Sequence, residues 1–211
     1  MTDTILIAMK RDEVDYGPTI EGVVVDLQQG RLVLNPPSLI DDDSRRPKTR
    51  GHSGIAVNDT LGDVWSCWTY HINDKDDNIY CRGRRSGATE PTWSENILPL
   101  ATTRRNIEDH PSVTVQTSTG RRVAAYHTKT GVKVRLFDLS NNEDRPNDVS
   151  LGAGAKVNFP HIIDANGILH AVVVDSAKNQ ITYASCAIYC HVTAHWNKEI
   201  IDDIAAAGDV V

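Results

Sequence analysis

An all-β fold of repeated four-stranded sheets is predicted from three observations. A Tyr and a Trp stand thirteen positions apart twice, as Tyr80 with Trp93 and as Tyr183 with Trp196, and each Trp is followed four residues later by Ile97 or Ile200. The two Trp are 103 residues apart, which is two units of about 50 residues, the length of a four-stranded blade in a radially repeated fold. Turn signals break the chain into short apolar runs, and no window of about 11 residues or more sustains a helical period. The expected architecture is therefore β-propeller-like, with about four blades in a closed or incomplete ring.

The elements follow in order, with one domain over 1–211 divided at about 1–50, 51–108, 109–157 and 158–211. In the first unit, Val23-Val24-Val25-Asp26, a turn at Gln28-Gln29-Gly30, then Leu32 and Leu34 echo Val172-Val173-Val174-Asp175, Asn179-Gln180, then Ile181 and Tyr183. Asp41 to Lys48 is a charged, proline-containing connection. The second unit opens with His52-Ser53-Gly54-Ile55-Ala56-Val57 and the third with His110-Pro111-Ser112-Val113-Thr114-Val115. Phe159-Pro160-His161-Ile162-Ile163-Asp164 repeats the latter 49 residues on. A glycine turn at Gly62, Gly120 or Gly167 then leads into a second strand ending at Trp68, Tyr126 or Val174. Asn166-Gly167 is a strong hairpin signal, because a tight type I′ turn needs positive φ at both central residues. Third strands are Asn78 to Cys81, Val132 to Leu136 and Gln180 to Tyr183, and a loop from Asn141 to Asp148 stands where the third unit lacks an outer-strand signature.

Composition bounds the function. With 22 Lys+Arg against 28 Asp+Glu the net charge is −6, and the Arg pairs are scattered, whereas nucleic-acid phosphates favour a clustered basic face. Apolar runs such as Ala171 to Val174 fall far short of the ~20 residues that cross a bilayer, so no membrane span is expected. Met1-Thr2-Asp3-Thr4 does not open a signal peptide, since no basic region precedes a long apolar stretch. The four Cys form two local pairs, Cys67 with Cys81 across an acidic turn and Cys186 with Cys190 around a small loop, which carries the expectation of disulfides and an extracellular or cell-surface setting.

The segment Ser86-Gly87-Ala88-Thr89-Glu90-Pro91-Thr92-Trp93 resembles the Asp box, Ser-x-Asp-x-Gly-x-Thr-Trp, of the sialidase-like propellers with BNR repeats, and keeps its Ser, Thr and Trp without its Asp or Gly. Tyr183-Ala184-Ser185-Cys186 with Cys190 and Trp196 looks like a disulfide-bearing variant of the repeat in extracellular bacterial proteins of this type. The resemblance covers roughly residues 51–200 and implies the propeller fold. Enzymes of that family use an Arg triad and a Phe-Arg-Ile-Pro-type motif, but Asn158-Phe159-Pro160 has no Arg between Phe and Pro, so no catalytic residue carries over.

Cys186, Cys190, His191 and His195 spell C-x3-C-H-x3-H, four zinc-competent ligands. Finger-type sites separate the two pairs by about twelve residues so that the chain can wrap the ion; here they abut, and no metal or other cofactor is expected. The turn Asn73 to Asn78 and the triplet Asp41 to Asp43 lack the ligand spacing of a calcium loop. Binding is expected where second strands end at the propeller mouth, through Trp68, Tyr70, His127 and Asp175, because sugars take aromatic stacking plus a few convergent polar groups. Asp26, Asp138 and Asp175 are the candidates for a paired-carboxylate glycoside hydrolysis, whose separation of about 5–10 Å sets no sequence spacing, and capping of hairpin turns is their other expected role. The expectation is a non-catalytic recognition module for a glycan or a protein ligand. The alternatives are a relative of propeller glycoside hydrolases and a structural subunit, a possible homo-oligomer, whose arc another chain completes. Closure within one chain would have Thr4 to Met9 add a strand beside Ile200-Ile201 in the last blade.

Overall fold

A computed structural model describes residues 4–13, 17–28, 31–34, 38–41, 49–58, 63–73, 76–84, 98–101, 108–137, 148–154 and 156–203. Four sheets follow one another along the chain. The first contains β1 (Thr4–Glu13), β2 (Gly17–Gln28), β3 (Arg31–Leu34) and β4 (Ser38–Asp41). The second contains β5 (Thr49–Asn58), β6 (Asp63–Asn73), β7 (Asp76–Arg84) and β8 (Leu98–Ala101). The third contains β9 (Glu108–Gln116), β10 (Arg121–Thr128), β11 (Gly131–Phe137) and β12 (Val149–Ala153). The fourth contains β13 (Val157–Ala165), β14 (Ile168–Asp175), β15 (Gln180–Cys186) and β16 (Asn197–Asp203), with a 3-10 turn over Thr193–His195 before its last strand.

The last three sheets are antiparallel meanders in chain order. Hairpins make this order the short path: Asn166 (φ 55°) and Gly167 (φ 82°) both occupy the left-handed region that the β13–β14 turn requires. The first sheet departs from the pattern, since β3 and β4 both pair with β2, β3 along Val25–Gln28 and β4 along Ile20–Gly22.

Blades 2, 3 and 4 share a device in their first strands. The register shifts between Thr49 and Ser53 in β5, opposite Ala125 and His127 in β9, and between Asn158 and His161 in β13. Pro111 and Pro160 fall in two of these bulges, where a strand tolerates a residue that donates no ladder hydrogen bond. The first strands run side by side: the Ser112 hydroxyl accepts from the Ile162 N–H at 3.0 Å and the Thr114 hydroxyl from the Asp164 N–H at 3.1 Å, each across 50 residues. Both contacts advance along both strands, so β9 and β13 are parallel. Blade 2 lies as near to blade 3, for a Cβ at Gly54 would meet the Pro111 carbonyl at 2.9 Å.

Two apolar seams result. Trp65, Cys67, Ile79 and Cys81 of the second sheet meet Val113, Ala124, Tyr126 and Phe137 of the third. Val123, Ala125, Val134 and Leu136 of the third meet Ile162, Leu169, Ala171, Val173 and Trp196 of the fourth. Strand β14 shows the pleat directly, with Leu169, Ala171, Val173 and Asp175 buried and the intervening residues more exposed. The β9–β10 turn is stitched to the fourth sheet by Gln116, whose buried amide donates to the Gly167 carbonyl at 3.0 Å and the Ala187 carbonyl at 3.3 Å.

The first strands pack in series, β1 beside β5, β5 beside β9 and β9 beside β13. The sheets do not close into a ring, and the fold is an incomplete propeller. Closure through Thr4 to Met9 is not what forms. These residues pair with β2 from Thr4↔Asp26 onward, while β16 pairs with β15; a hairpin to the adjacent strand needs far less loop closure than a return across the chain. Both disulfides are present, Cys67–Cys81 and Cys186–Cys190. Cys67 and Cys81 are directly opposite in the β6–β7 register. Trp196 is buried and donates its indole N–H to the Cys190 carbonyl at 2.9 Å. Its sequence counterpart Trp93 and the whole segment Ser86 to Trp93 lie outside the described residues, as do Asp42, Asp43 and Asp138. Among the described residues no helix is long and apolar enough to cross a membrane.

Candidate functional site at the ends of the second strands

Because the meanders repeat, the ends of β6, β10 and β14 lie at one edge of the arc, together with the starts of β5, β9 and β13. The β9 bulge shapes that edge. His110 takes φ 52°, a left-handed conformation that a non-glycine residue adopts only when its surroundings hold it there. The kink places Asp109 opposite His127 in the β9–β10 register.

Asp109 is the hub. Its Oδ1 lies 2.8 Å from His127 Nδ1 and 3.0 Å from His110 Nδ1. Burial opposes ionisation of this carboxyl, but hydrogen bonds and positive charge from His110 and His127 outweigh it and hold Asp109 well below the usual carboxylate range. An ionised carboxylate only accepts, so the His127 Nδ1 carries the proton toward it. The buried Nε2 has no hydrogen-bond partner among the described residues.

The expected site residues fall as follows. Tyr70, half-buried near the end of β6, packs edge-to-face on Tyr80, with centroids 5.7 Å apart and planes at 86°. Trp68 precedes it by two positions and so shares its face of β6, but is 1% exposed. His127 follows Tyr126, the third-blade counterpart of Trp68, so it stands in the place of Thr69 and on the opposite face of its blade from the one Tyr70 occupies in the second. Asp175 ends β14, where its Oδ1 accepts from the Ala177 N–H at 3.1 Å and the Lys178 N–H at 3.3 Å, and its Oδ2 pairs with Lys178 Nζ at 3.3 Å. The β14–β15 turn thus takes up both of its oxygens. Cys186 and Cys190 are joined to each other, which removes them from zinc ligation, and among the described residues no three His, Cys, Asp or Glu group as a metal site.

Asp109 and His110 were missed by the sequence reading. The acidic start Glu108-Asp109 and the His-Pro step were visible, but the bulge that brings Asp109 to His127 was not. A second polar cluster was missed as well. Asp148 Oδ1 accepts from Arg135 Nε at 2.6 Å and from the Tyr126 hydroxyl at 3.0 Å, with Lys133 Nζ 3.4 Å from Oδ2. Arg135 also donates to the Leu100 carbonyl of β8. Burial raises the Asp148 carboxyl, yet the Arg135 hydrogen bond and charge prevail and hold it low, while burial pushes the Tyr126 phenol up. This cluster ties the outer strands of the second and third blades and is structural.

A pH dependence follows from Asp148. Its folded pKa is depressed, so the pair contributes stability in full above about pH 4, the unfolded carboxyl value, and loses it as pH falls toward the folded value. Asp148→Asn is expected to cost about 1–3 kcal/mol at neutral pH and to flatten the loss of stability below pH ~4, as read by urea titration at several pH values. An unchanged acid limb would remove Asp148 from this role.

No protein-family model matches the chain, and no curated protein matches it in sequence. Solved structures do share its fold. Xylan β-1,4-xylosidase from Bacillus halodurans C-125 superposes with a TM-score of 0.55 at 12% identity, over 93% of this chain and 40% of that one. CoXyl43, a GH43 β-xylosidase/α-arabinofuranosidase from a compost microbial metagenome, determined with xylotriose in a calcium-free form, gives 0.55 at 9% identity, over 93% of this chain and 73% of that one. The chain therefore spans well under half the length of the first neighbour. At such identities the likeness is one of fold, that of β-propellers.

Proposed function

We propose that the chain is a non-catalytic recognition module that binds carbohydrate at the edge formed by the ends of its second strands. The observation that carries this reading is the part-buried Asp109–His127 pair at the end of β10, with the half-buried Tyr70 ring at the end of β6. Tyr70, at the corresponding strand end of the neighbouring blade, supplies a ring for a sugar face, and Trp68 backs it from inside the sheet. Asp175 shapes the turn at the same edge. Two features favour binding over turnover: Asp109 stays ionised near neutral pH and has no proton to give, and Asp175 is engaged by its own turn. The two disulfides are consistent with an extracellular location.

Glycoside hydrolysis is the second reading, favoured by the fold shared with two hydrolases. One experiment separates the two. Affinity electrophoresis and calorimetry against xylotriose and a panel of plant polysaccharides are expected to show association without release of reducing sugar. Tyr70→Ala and His127→Ala are each expected to weaken association about tenfold, about 1.4 kcal/mol, with circular dichroism unchanged. Reducing-sugar release that disappears in Asp175→Asn would establish the hydrolase reading instead, and absence of association with every polysaccharide would reject the carbohydrate reading.

A further inference from the structure

The loop between β15 and β16 is held from beneath. The Cys186–Cys190 bridge closes its first turn, and Tyr189 inside that turn takes φ 55°, a left-handed conformation that a bulky residue keeps only where its surroundings hold it. The N–H groups of Val192, His195 and Trp196 donate to the carbonyls of Tyr189, Val192 and Thr193 at 2.9, 3.1 and 3.3 Å, so the segment winds on itself in successive tight turns. Its underside is core. Cys186, Cys190 and Trp196 are buried in the seam with the third blade, the Gln116 amide reaches the Ala187 carbonyl, and the 3-10 turn packs on β12. The third blade therefore braces this loop.

The outer side presents an aromatic ring. Tyr189 is 62% exposed, with Ile188 and Val192 exposed beside it. The imidazoles of His191 and His195 stand nearly perpendicular to the Tyr189 ring, with centroids 6.2 and 5.6 Å away. The surroundings are also neutral. Charged residues make up 24% of the chain, yet no Asp, Glu, Lys or Arg occurs from Asn179 to Asn197. The elements packed against the loop, Gln116 to Gly120 and β12, carry none either. The next charge along the chain, Lys198, is turned to the Ser150 carbonyl at 2.7 Å.

We propose that this loop is a second ligand site, in which the Tyr189 ring receives the apolar face of a neutral sugar residue and His195 meets its hydroxyls. A sugar ring offers C–H groups to an aromatic face and hydroxyls at its rim, and an imidazole nitrogen can donate or accept. The bridge and the turns fix the ring before binding, which lowers the cost of ordering it. A protein partner would need about 800 Å² and some 20–30 residues on each side, whereas the apolar surface here is one ring and two aliphatic side chains. The site does not depend on the one proposed above. Strand β15 runs from Gln180, opposite Asp175, to Cys186, opposite Leu169, so the loop lies at the other edge of the blade from the ends of the second strands.

Nuclear magnetic resonance of the aromatic rings in the full chain tests this, with xylohexaose and cellohexaose as neutral probes and an oligogalacturonate as the anionic control. The Tyr189 signals are expected to shift saturably with at least one neutral probe, at a Kd of about 1 mM, and to stay fixed with the oligogalacturonate. Tyr70 signals report the other edge separately, so either site can fail without the other. Tyr189→Asn removes the ring but keeps a residue that tolerates the left-handed backbone. It is expected to weaken the response of the His195 ring at least about tenfold, while Tyr189→Phe, which keeps the stacking face, stays within about twofold of wild type. If Tyr189→Asn does not fold, the wild-type titration decides alone. Tyr189 signals unmoved by both neutral probes at about 10 mM, an equal or larger response to the oligogalacturonate, or an undiminished His195 response in folded Tyr189→Asn would each overturn the proposal.

Discussion

Trp65→Ala is expected to cost about 3–5 kcal/mol, the range for emptying a fully buried large aromatic site. Trp65 is 0% exposed and anchors the seam between the second and third blades. Its ring lies 5.3 Å from that of Phe137, and the Arg122 guanidinium is 4.7 Å from its centroid. Against a total stability of about 5–15 kcal/mol for an ordinary domain, that loss leaves the seam near its limit. Trp65→Phe is expected to lose less than half as much. The indole N–H has no hydrogen-bond partner among the described residues, so its removal forfeits no bond, and a smaller ring keeps part of the packing. Urea unfolding of the two variants reads the difference as a shift in midpoint at constant slope. A cost for Trp65→Ala below about 1 kcal/mol would mean that the two blades do not depend on each other.

Removal of the Cys67–Cys81 bridge is expected to cost about 3 kcal/mol, the chain-entropy value for a loop of roughly 15 residues; the observed sequence separation is 14. The Cys186–Cys190 bridge closes a shorter span, a separation of 4, and is expected to contribute about 2 kcal/mol by the same relation. Its loss also loosens the loop that receives Gln116 and Trp196, so the second seam should weaken with it. Melting with and without reductant, in Cys67→Ala/Cys81→Ala and Cys186→Ala/Cys190→Ala variants, assigns the two contributions. Alkylation under denaturing conditions without reductant should label none of the four cysteines; labelling of all four together with an unchanged melting temperature would rule the bridges out.

Most of the fold was legible because it repeats. The copy of His110 to Val115 at Phe159 to Asp164 marks two first strands that the structure sets side by side, with hydrogen bonds across 50 residues. Asn166-Gly167 announced its hairpin through local backbone sterics alone. The disulfides were legible for a related reason, since each Cys pair is local. The first blade was harder: its apolar runs revealed strands, but nothing in them foretold that β3 and β4 would share one edge of β2.

The proposed site was legible only in part. Tyr70 and His127 were visible as aromatic groups at strand ends. Trp68 has the same residue-type signal, yet a strand between two neighbouring blades is covered on both faces, and Trp65 and Trp68, of opposite parity, are both buried.

What the sequence determined by itself is whatever short-range sterics and periodic burial decide: strand order in the last three blades, turn positions, the cross-strand cysteine pair and the blade length. Tertiary structure alone decided which polar groups meet. Asp109 reaches His127 across a bulge, and Arg135 bridges Asp148 to the Leu100 carbonyl of another sheet. A hydrogen bond depends on distances of a few tenths of an ångström, and those are set by how blades pack, whereas a hydrophobic pattern needs only the correct face.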